Sequence, residues 1–108
     1  MTMKFRGGMS ELMRQASRLQ RKVEKRKQEL KDEKVEAGAG NDQVKVVANG
    51  GGEIVSITIA PELLKSEDLG MVQDMIVAAC NSALKKAEEM VEAEIEKATG
   101  GMKIPGLT

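Results

Sequence analysis

Residues 44–61, VKVVANGGGEIVSITIAP, decide the fold class. Val44, Val46 and Ala48 alternate with Lys45, Val47 and Asn49; after the glycines, Val55, Ile57 and Ile59 share one face while Ser56 and Thr58 share the other. A period of two in β-branched residues is the pattern of half-buried strands. Asn49-Gly50-Gly51-Gly52 between the two runs is a hairpin signal, because Asn and Gly tolerate the backbone angles of a tight turn. Upstream, Val35 and Ala37 open a further short strand that ends in the turn Gly38-Ala39-Gly40-Asn41-Asp42. The three runs predict a small antiparallel sheet with one apolar face.

Helical periodicity flanks this sheet on both sides. From Met9 to about Lys34, Leu12, Ala16, Leu19, Val23 and Leu30 recur in the a/d rhythm of a helix–helix seam, with Arg26 in one seam slot. Ser10, behind Gly7 and Gly8, is the expected N-cap. Pro61 opens a short helical turn through Leu64. Ser66 is then placed to cap a second long helix whose first turn is acidic, through Glu67 and Asp68. Leu69, Val72, Ile76, Ala79, Cys80, Ala83, Ala87, Met90 and Val91 trace its apolar stripe, and Gly100-Gly101 ends it. The two helices would be roughly 39 and 48 Å long at about 1.5 Å per residue. That is far more than a three-stranded sheet can cover, so they project together as a hairpin or pack on a second subunit. The fold class is therefore α+β, in the order α-β-β-β-α. Residues 1–108 are read as one domain, with loose ends at 1–8 and 100–108.

Composition removes most chemistry. The 108 residues contain no His, Trp or Tyr, one aromatic residue (Phe5) and one cysteine (Cys80). No histidine means no His-based triad or His-ligated metal, and one cysteine means no CxxC site. Gly50-Gly51-Gly52 runs into Glu53 and a strand, so it fails the phosphate-loop pattern. Cys80 lies on an apolar stripe and reads as a small core residue. Glu88, Glu89, Glu92, Glu94 and Glu96 are spaced for a solvated helix face and lack the ligand geometry of a calcium loop. Neither a catalytic site, a cofactor nor a metal is expected. A membrane span or secretory signal is not expected either, which points to a cytoplasmic protein.

Charge is the informative feature. Lys/Arg and Asp/Glu are equal at 17 each, yet residues 1–34 hold eleven cations against five anions, and residues 35–108 hold six against twelve. At about 100° per residue, Arg14, Arg18, Arg21 and Lys25 fall within a sector of roughly 60° opposite the Leu12–Leu30 seam. Lys22 flanks this stripe and Lys31 continues it. Aligned cations on a projecting rod can track a phosphate backbone, since each neutralised phosphate releases counterions. The alternative is structural: in a helical hairpin, Glu89, Glu92 and Glu96 would return beside Arg14 and Arg18 and pair with them. If nucleic acid is bound, duplex DNA is favoured, because Phe5 alone cannot build the stacking platform that single strands require.

In sequence order, Gly8-Met9, Leu12-Met13-Arg14-Gln15-Ala16, Val44-Lys45-Val46, Asn49-Gly50, the run from Ile57 to Leu64, the run from Val77 to Ala83, and Gly101-Met102-Lys103-Ile104-Pro105-Gly106 together resemble the YbaB/EbfC family of nucleoid-associated proteins. The resemblance covers nearly the whole chain. It implies a tweezer-like homodimer with protruding helices that binds bacterial DNA without enzymatic activity. The DNA-contact role carries over to Arg14, Arg18, Arg21, Lys22 and Lys25. Cys80 stands where the family commonly has an aromatic residue, and Ser82 where it has an acidic one; both departures lie in the second helix. The expected function is duplex-DNA binding by a homodimer in the bacterial nucleoid. The competing expectation is a non-enzymatic adaptor whose charged helical hairpin meets a protein partner.

Overall fold

Asn49 ties the hairpin together and, through it, the whole molecule. The structure, a computed structural model, describes the backbone of residues 2–101 and the side chains of residues 8–101. Its elements are α1 (Thr2–Leu30), β1 (Lys34–Ala39), β2 (Val44–Asn49), β3 (Ile54–Ile59), α2 (Pro61–Leu64) and α3 (Leu69–Ala98). The strands form one antiparallel sheet in the order β1-β2-β3. At the β2–β3 turn, the Asn49 side-chain oxygen accepts from the N–H groups of Gly51 (3.0 Å) and Glu53 (3.1 Å), and its amide donates to the Glu53 carboxylate (3.3 Å). Asn49 is buried, and these bonds satisfy its polar atoms.

The same turn anchors the first helix. Gly50 N–H donates to the Glu33 carbonyl (3.0 Å) and Gly51 N–H to the Lys31 carbonyl (3.1 Å). These carbonyls are thereby committed to the hairpin, so α1 ends at Leu30 and does not run on to Lys34 as the periodicity suggests. At its other end α1 is longer than expected: it runs from Thr2 through Gly7 and Gly8, and Ser10 lies inside it rather than at its cap. Two glycines cost a helix about 1 kcal/mol each, and here helix-forming residues flank them on both sides. Gly50 matters for a different reason. A Cβ there would fall on the Leu30 carbonyl oxygen, well inside contact distance. Gly50→Ala is therefore expected to force α1 away from the turn and cost about 1–3 kcal/mol, as overpacking does. Thermal melts should show a loss on the order of 10 °C.

The core lies between the sheet and α3. Val44, Val46 and Ala48 of β2 are fully buried against Val72, Ala79, Ala83 and Ala87, whose small side chains let the helix approach closely. Val35, Ala37 and Ala39 of β1 and the half-buried Cys80 pack at the margin of this cluster. α3 crosses β1 and β2 and barely reaches β3. Residues paired across antiparallel strands share a face, so Ile59, Ile57 and Ile54, the partners of Val44, Val46 and Ala48, point to the α3 side. A bulge opposite Val47 and Ala48 makes Ile54 the partner of Ala48, which breaks the simple Val55–Ile57–Ile59 alternation. Ile54, Val55 and Ile57 nevertheless remain more than 40% exposed, because no helix of the protomer covers this edge strand.

α3 is capped by Asp68, not Ser66: the Asp68 carboxylate accepts from Met71 N–H (3.0 Å), while Ser66 Oγ accepts from Asp68 N–H (3.1 Å). It stops at Thr99, followed by Gly100 and Gly101 at positive φ, with Gly101 N–H bonded to the Glu96 carbonyl (2.8 Å). The expected loose tail at 102–108 lies outside the described residues. A radius of gyration of 20.8 Å and extents of 77 × 20 × 16 Å contrast with about 13 Å for a compact chain of this length. The excess is α1. Among the described residues, no helix is long and apolar enough to cross a membrane.

Candidate nucleic-acid interface

The last third of α1 packs antiparallel on the end of α3. Val23 and Leu30 are buried in this seam, and Arg26, in the intervening slot, bonds Glu94 at 3.0 Å and Glu29 at 3.4 Å. From that contact, one residue along α3 matches about one residue back along α1. Gly101 thus comes level with about residue 19, and the part of α1 before it stands clear of α3. Leu19 is half-buried, whereas Leu12 is 65% exposed.

This offset decides the fate of the basic stripe. Glu89, Glu92 and Glu96 lie level with the last turns of α1 and the chain just after it, well short of Arg14 and Arg18. The pairing of these groups expected from a flush hairpin is not made. Among the described residues the ion pairs are Arg14–Glu11 (3.8 Å), Arg26–Glu29, Arg26–Glu94 and Lys97–Glu94. Arg14, Arg18, Arg21, Lys22 and Lys25 are all exposed, and the last four have no ion-pair partner among those residues. Arg21 makes one bond, from Nε to the Ser17 carbonyl at 3.4 Å. Lys31 lies past the end of α1 and does not extend the stripe. The result is a rod with four cations along one side and its apolar seam on the other.

Arg26 reads in the sequence as a flaw in the seam, and its partner is set only by the packing of α1 on α3. The hydrogen bond to Glu94 raises the Arg26 pKa. In turn that bond, helped by the charge of Lys97, holds the Glu94 carboxyl below the usual carboxylate value. A carboxyl with a lowered folded-state pKa stabilises the fold above its unfolded pKa, and the contribution is lost as pH falls through the folded value. Melts between neutral and acid pH should therefore show a smaller acid-side loss in Glu94→Gln than in the parent. An identical pH profile would mean that the pair contributes nothing to stability. Among the described residues no cluster of three His, Cys, Asp or Glu could hold a metal ion.

A family model described as the YbaB/EbfC DNA-binding family matches residues 4–102. The chain belongs to that family. Among its relatives, a nucleoid-associated protein of Pelotomaculum thermopropionicum is 52% identical over 101 residues, covering 94% of this chain and 96% of the relative. Another, from Acetivibrio thermocellus, is 51% identical over 104 residues, covering 95% and 92%. The fold also matches the crystal structure of an uncharacterized protein from Helicobacter pylori, with a TM-score of 0.53 and 27% identity over 82% of this chain and 92% of that one. Membership of a DNA-binding family does not favour the protein-adaptor reading.

Proposed function

We propose that this chain is a nucleoid-associated protein that binds duplex DNA as a homodimer through Arg14, Arg18, Arg21, Lys22 and Lys25. The observation that carries the proposal is the projection of α1 beyond α3 with Arg18, Arg21, Lys22 and Lys25 exposed and without ion-pair partners among the described residues, and with Arg14 paired only with Glu11 of its own helix. Guanidinium and ammonium groups at helical spacing meet successive phosphates, and the released counterions drive binding without reading bases. The homodimer rests on Ile54, Val55 and Ile57, an apolar patch on an edge strand that the protomer leaves open. A second copy covers this patch and brings a second basic rod to the same duplex. The whole chain acts as one non-enzymatic domain, in the nucleoid of a bacterial cytoplasm.

Gel-shift titrations with duplex DNA across a salt series, with single-stranded DNA and RNA as competitors, test this reading. About four to six phosphate contacts give a log–log salt slope of roughly −3.5 to −5.5. A slope shallower than about −1, or a preference for single strands, would overturn it.

A further inference from the structure

Cyclisation chemistry sets Asn49 apart from the other asparagines of the chain. Asn41 precedes Asp42 and Asn81 precedes Ser82, whereas Asn49 precedes a glycine. Gly50 has no Cβ to shield its backbone nitrogen, so in a mobile chain that nitrogen readily attacks the neighbouring side-chain amide. In the fold each group needed for this reaction is engaged elsewhere. Gly50 N–H, which must lose its proton, donates to the Glu33 carbonyl at 3.0 Å. Asn49 Oδ1 accepts from Gly51 and Glu53 N–H, and Nδ2 donates to the Glu53 carboxylate. Asn49 N–H donates to the Glu53 carbonyl (2.9 Å), and the Asn49 carbonyl accepts from Gly52 N–H (3.1 Å). We propose that Asn49-Gly50 is a latent self-modification site: opening of the β2–β3 turn releases it, and its product cannot restore the anchor of α1.

Ring closure requires Asn49 Cβ and the Gly50 nitrogen to eclipse about the Cα–C bond. In an extended residue, with ψ near about +135°, the two stand roughly 100° apart. Asn49 is the last residue of β2. Gly50 cannot swing towards it, because the Leu30 carbonyl closes off the side where a Cβ would stand. Once the turn opens, the Gly50 nitrogen gives up its proton to water and bonds to Asn49 Cγ. The Cγ–Nδ2 bond breaks, a proton returns to the departing nitrogen, and ammonia leaves behind a five-membered succinimide. Water then adds to one imide carbonyl and breaks its bond to the ring nitrogen, which takes up the proton. Addition at Cγ gives aspartate. Addition at the main-chain carbonyl gives isoaspartate, whose backbone runs through the former side chain.

Either product undoes the anchor. Aspartate loses the donor to Glu53 and sets two carboxylates against each other at a position only 8% exposed, where like charges repel strongly. Isoaspartate inserts a methylene into the main chain and shifts the N–H groups of Gly50 and Gly51 off the Glu33 and Lys31 carbonyls. Those bonds end α1 beside the turn, so chemistry at the turn is transmitted to the projecting rod. The inference holds whether or not α1 meets DNA.

Mass spectrometry of the tryptic peptide Val46–Lys65 follows the conversion. In full-length protein at mildly alkaline pH, Asn49 should convert about 100-fold more slowly in the native state than in denaturant, since only the open fraction reacts. Leu30→Ala loosens the end of α1 beside Gly50 and leaves Asn49-Gly50 intact; it should speed native conversion about tenfold. Leu63→Ala, buried near the opposite end of the sheet, is the control. Brought to the same overall stability with urea, it should change the rate by no more than about twofold. Equal native and denatured rates, or equal acceleration by both variants, would overturn gating by the turn. The product is tested by deamidating the parent in denaturant and refolding it. Parent held in acid denaturant, where the Gly50 nitrogen keeps its proton, is refolded alongside. Amide exchange across Val23–Leu30 should be about tenfold faster in the deamidated chain, and failure to refold beside a control that refolds meets the same expectation. Unchanged exchange would overturn the release of α1.

Discussion

Replacing Arg18 and Arg21 together by Glu is expected to weaken binding to every duplex by roughly 60-fold at about 0.1 M salt. Each neutralised phosphate contributes a salt slope of about −0.9, and the counterion term vanishes near about 1 M salt, so two fewer neutralised phosphates amount to about 1.8 log units at 0.1 M. Repulsion from the new carboxylates adds to this figure. The loss should not depend on DNA sequence, because phosphate contacts carry no base information. The melting temperature should hardly change: both residues are exposed and neither has an ion-pair partner among the described residues, and even an exposed pair contributes only about 0–1 kcal/mol. A structural role for these arginines predicts the reverse, with stability lost and then rescued by Glu89→Arg and Glu92→Arg. The axial offset of the two helices leaves no route for that rescue. Unchanged duplex affinity in a folded double variant would remove the stripe as the DNA site.

Val23→Asp and Ile57→Asp should separate protomer folding from dimerisation. Val23 is fully buried in the α1–α3 seam, and an uncompensated carboxylate there costs about 3–5 kcal/mol, a large share of the roughly 5–15 kcal/mol typical of a domain. Its melt should fall at every protein concentration. Ile57 is 44% exposed in the protomer, so Asp there costs the isolated fold only about 1 kcal/mol of strand preference. In the proposed homodimer the same carboxylate is buried between copies. A penalty of about 3 kcal/mol at that interface weakens dimerisation by more than about 100-fold. Light scattering after size exclusion should then report about 11.7 kDa in place of twice that mass, and the melt should lose its dependence on concentration. A parent protein that is itself a monomer with a cooperative melt would remove the homodimer from the proposal.

Short-range chemistry makes much of this protein legible from the chain alone. The three alternating runs, Asn49 with its glycines, Pro61 and the Gly100-Gly101 stop all act within a few residues, and each element they mark is present. The angular opposition of Arg14, Arg18, Arg21 and Lys25 to the Leu12–Leu30 seam is likewise readable, because a helix's pitch converts spacing directly into direction. The limits of α1 are less so: helix formers carry it through Gly7-Gly8, and the hairpin's bonds to the Lys31 and Glu33 carbonyls, made across the fold, end it.

Distance along the helix axes is decided by the tertiary structure alone. Periodicity sets which side of α1 faces α3, but it is silent on how far one helix slides along the other. That slide is fixed where Leu30 abuts Gly50 and where Arg26 meets Glu94. It separates Arg14 and Arg18 from the glutamates that a flush hairpin would bring to them, and it leaves Leu12 uncovered. Packing also decides that α3 lies over β1 and β2, since Ala79, Ala83 and Ala87 fit closely against β2. A single helix laid there cannot also cover β3, so Ile57 stays open although its own residues mark it as core.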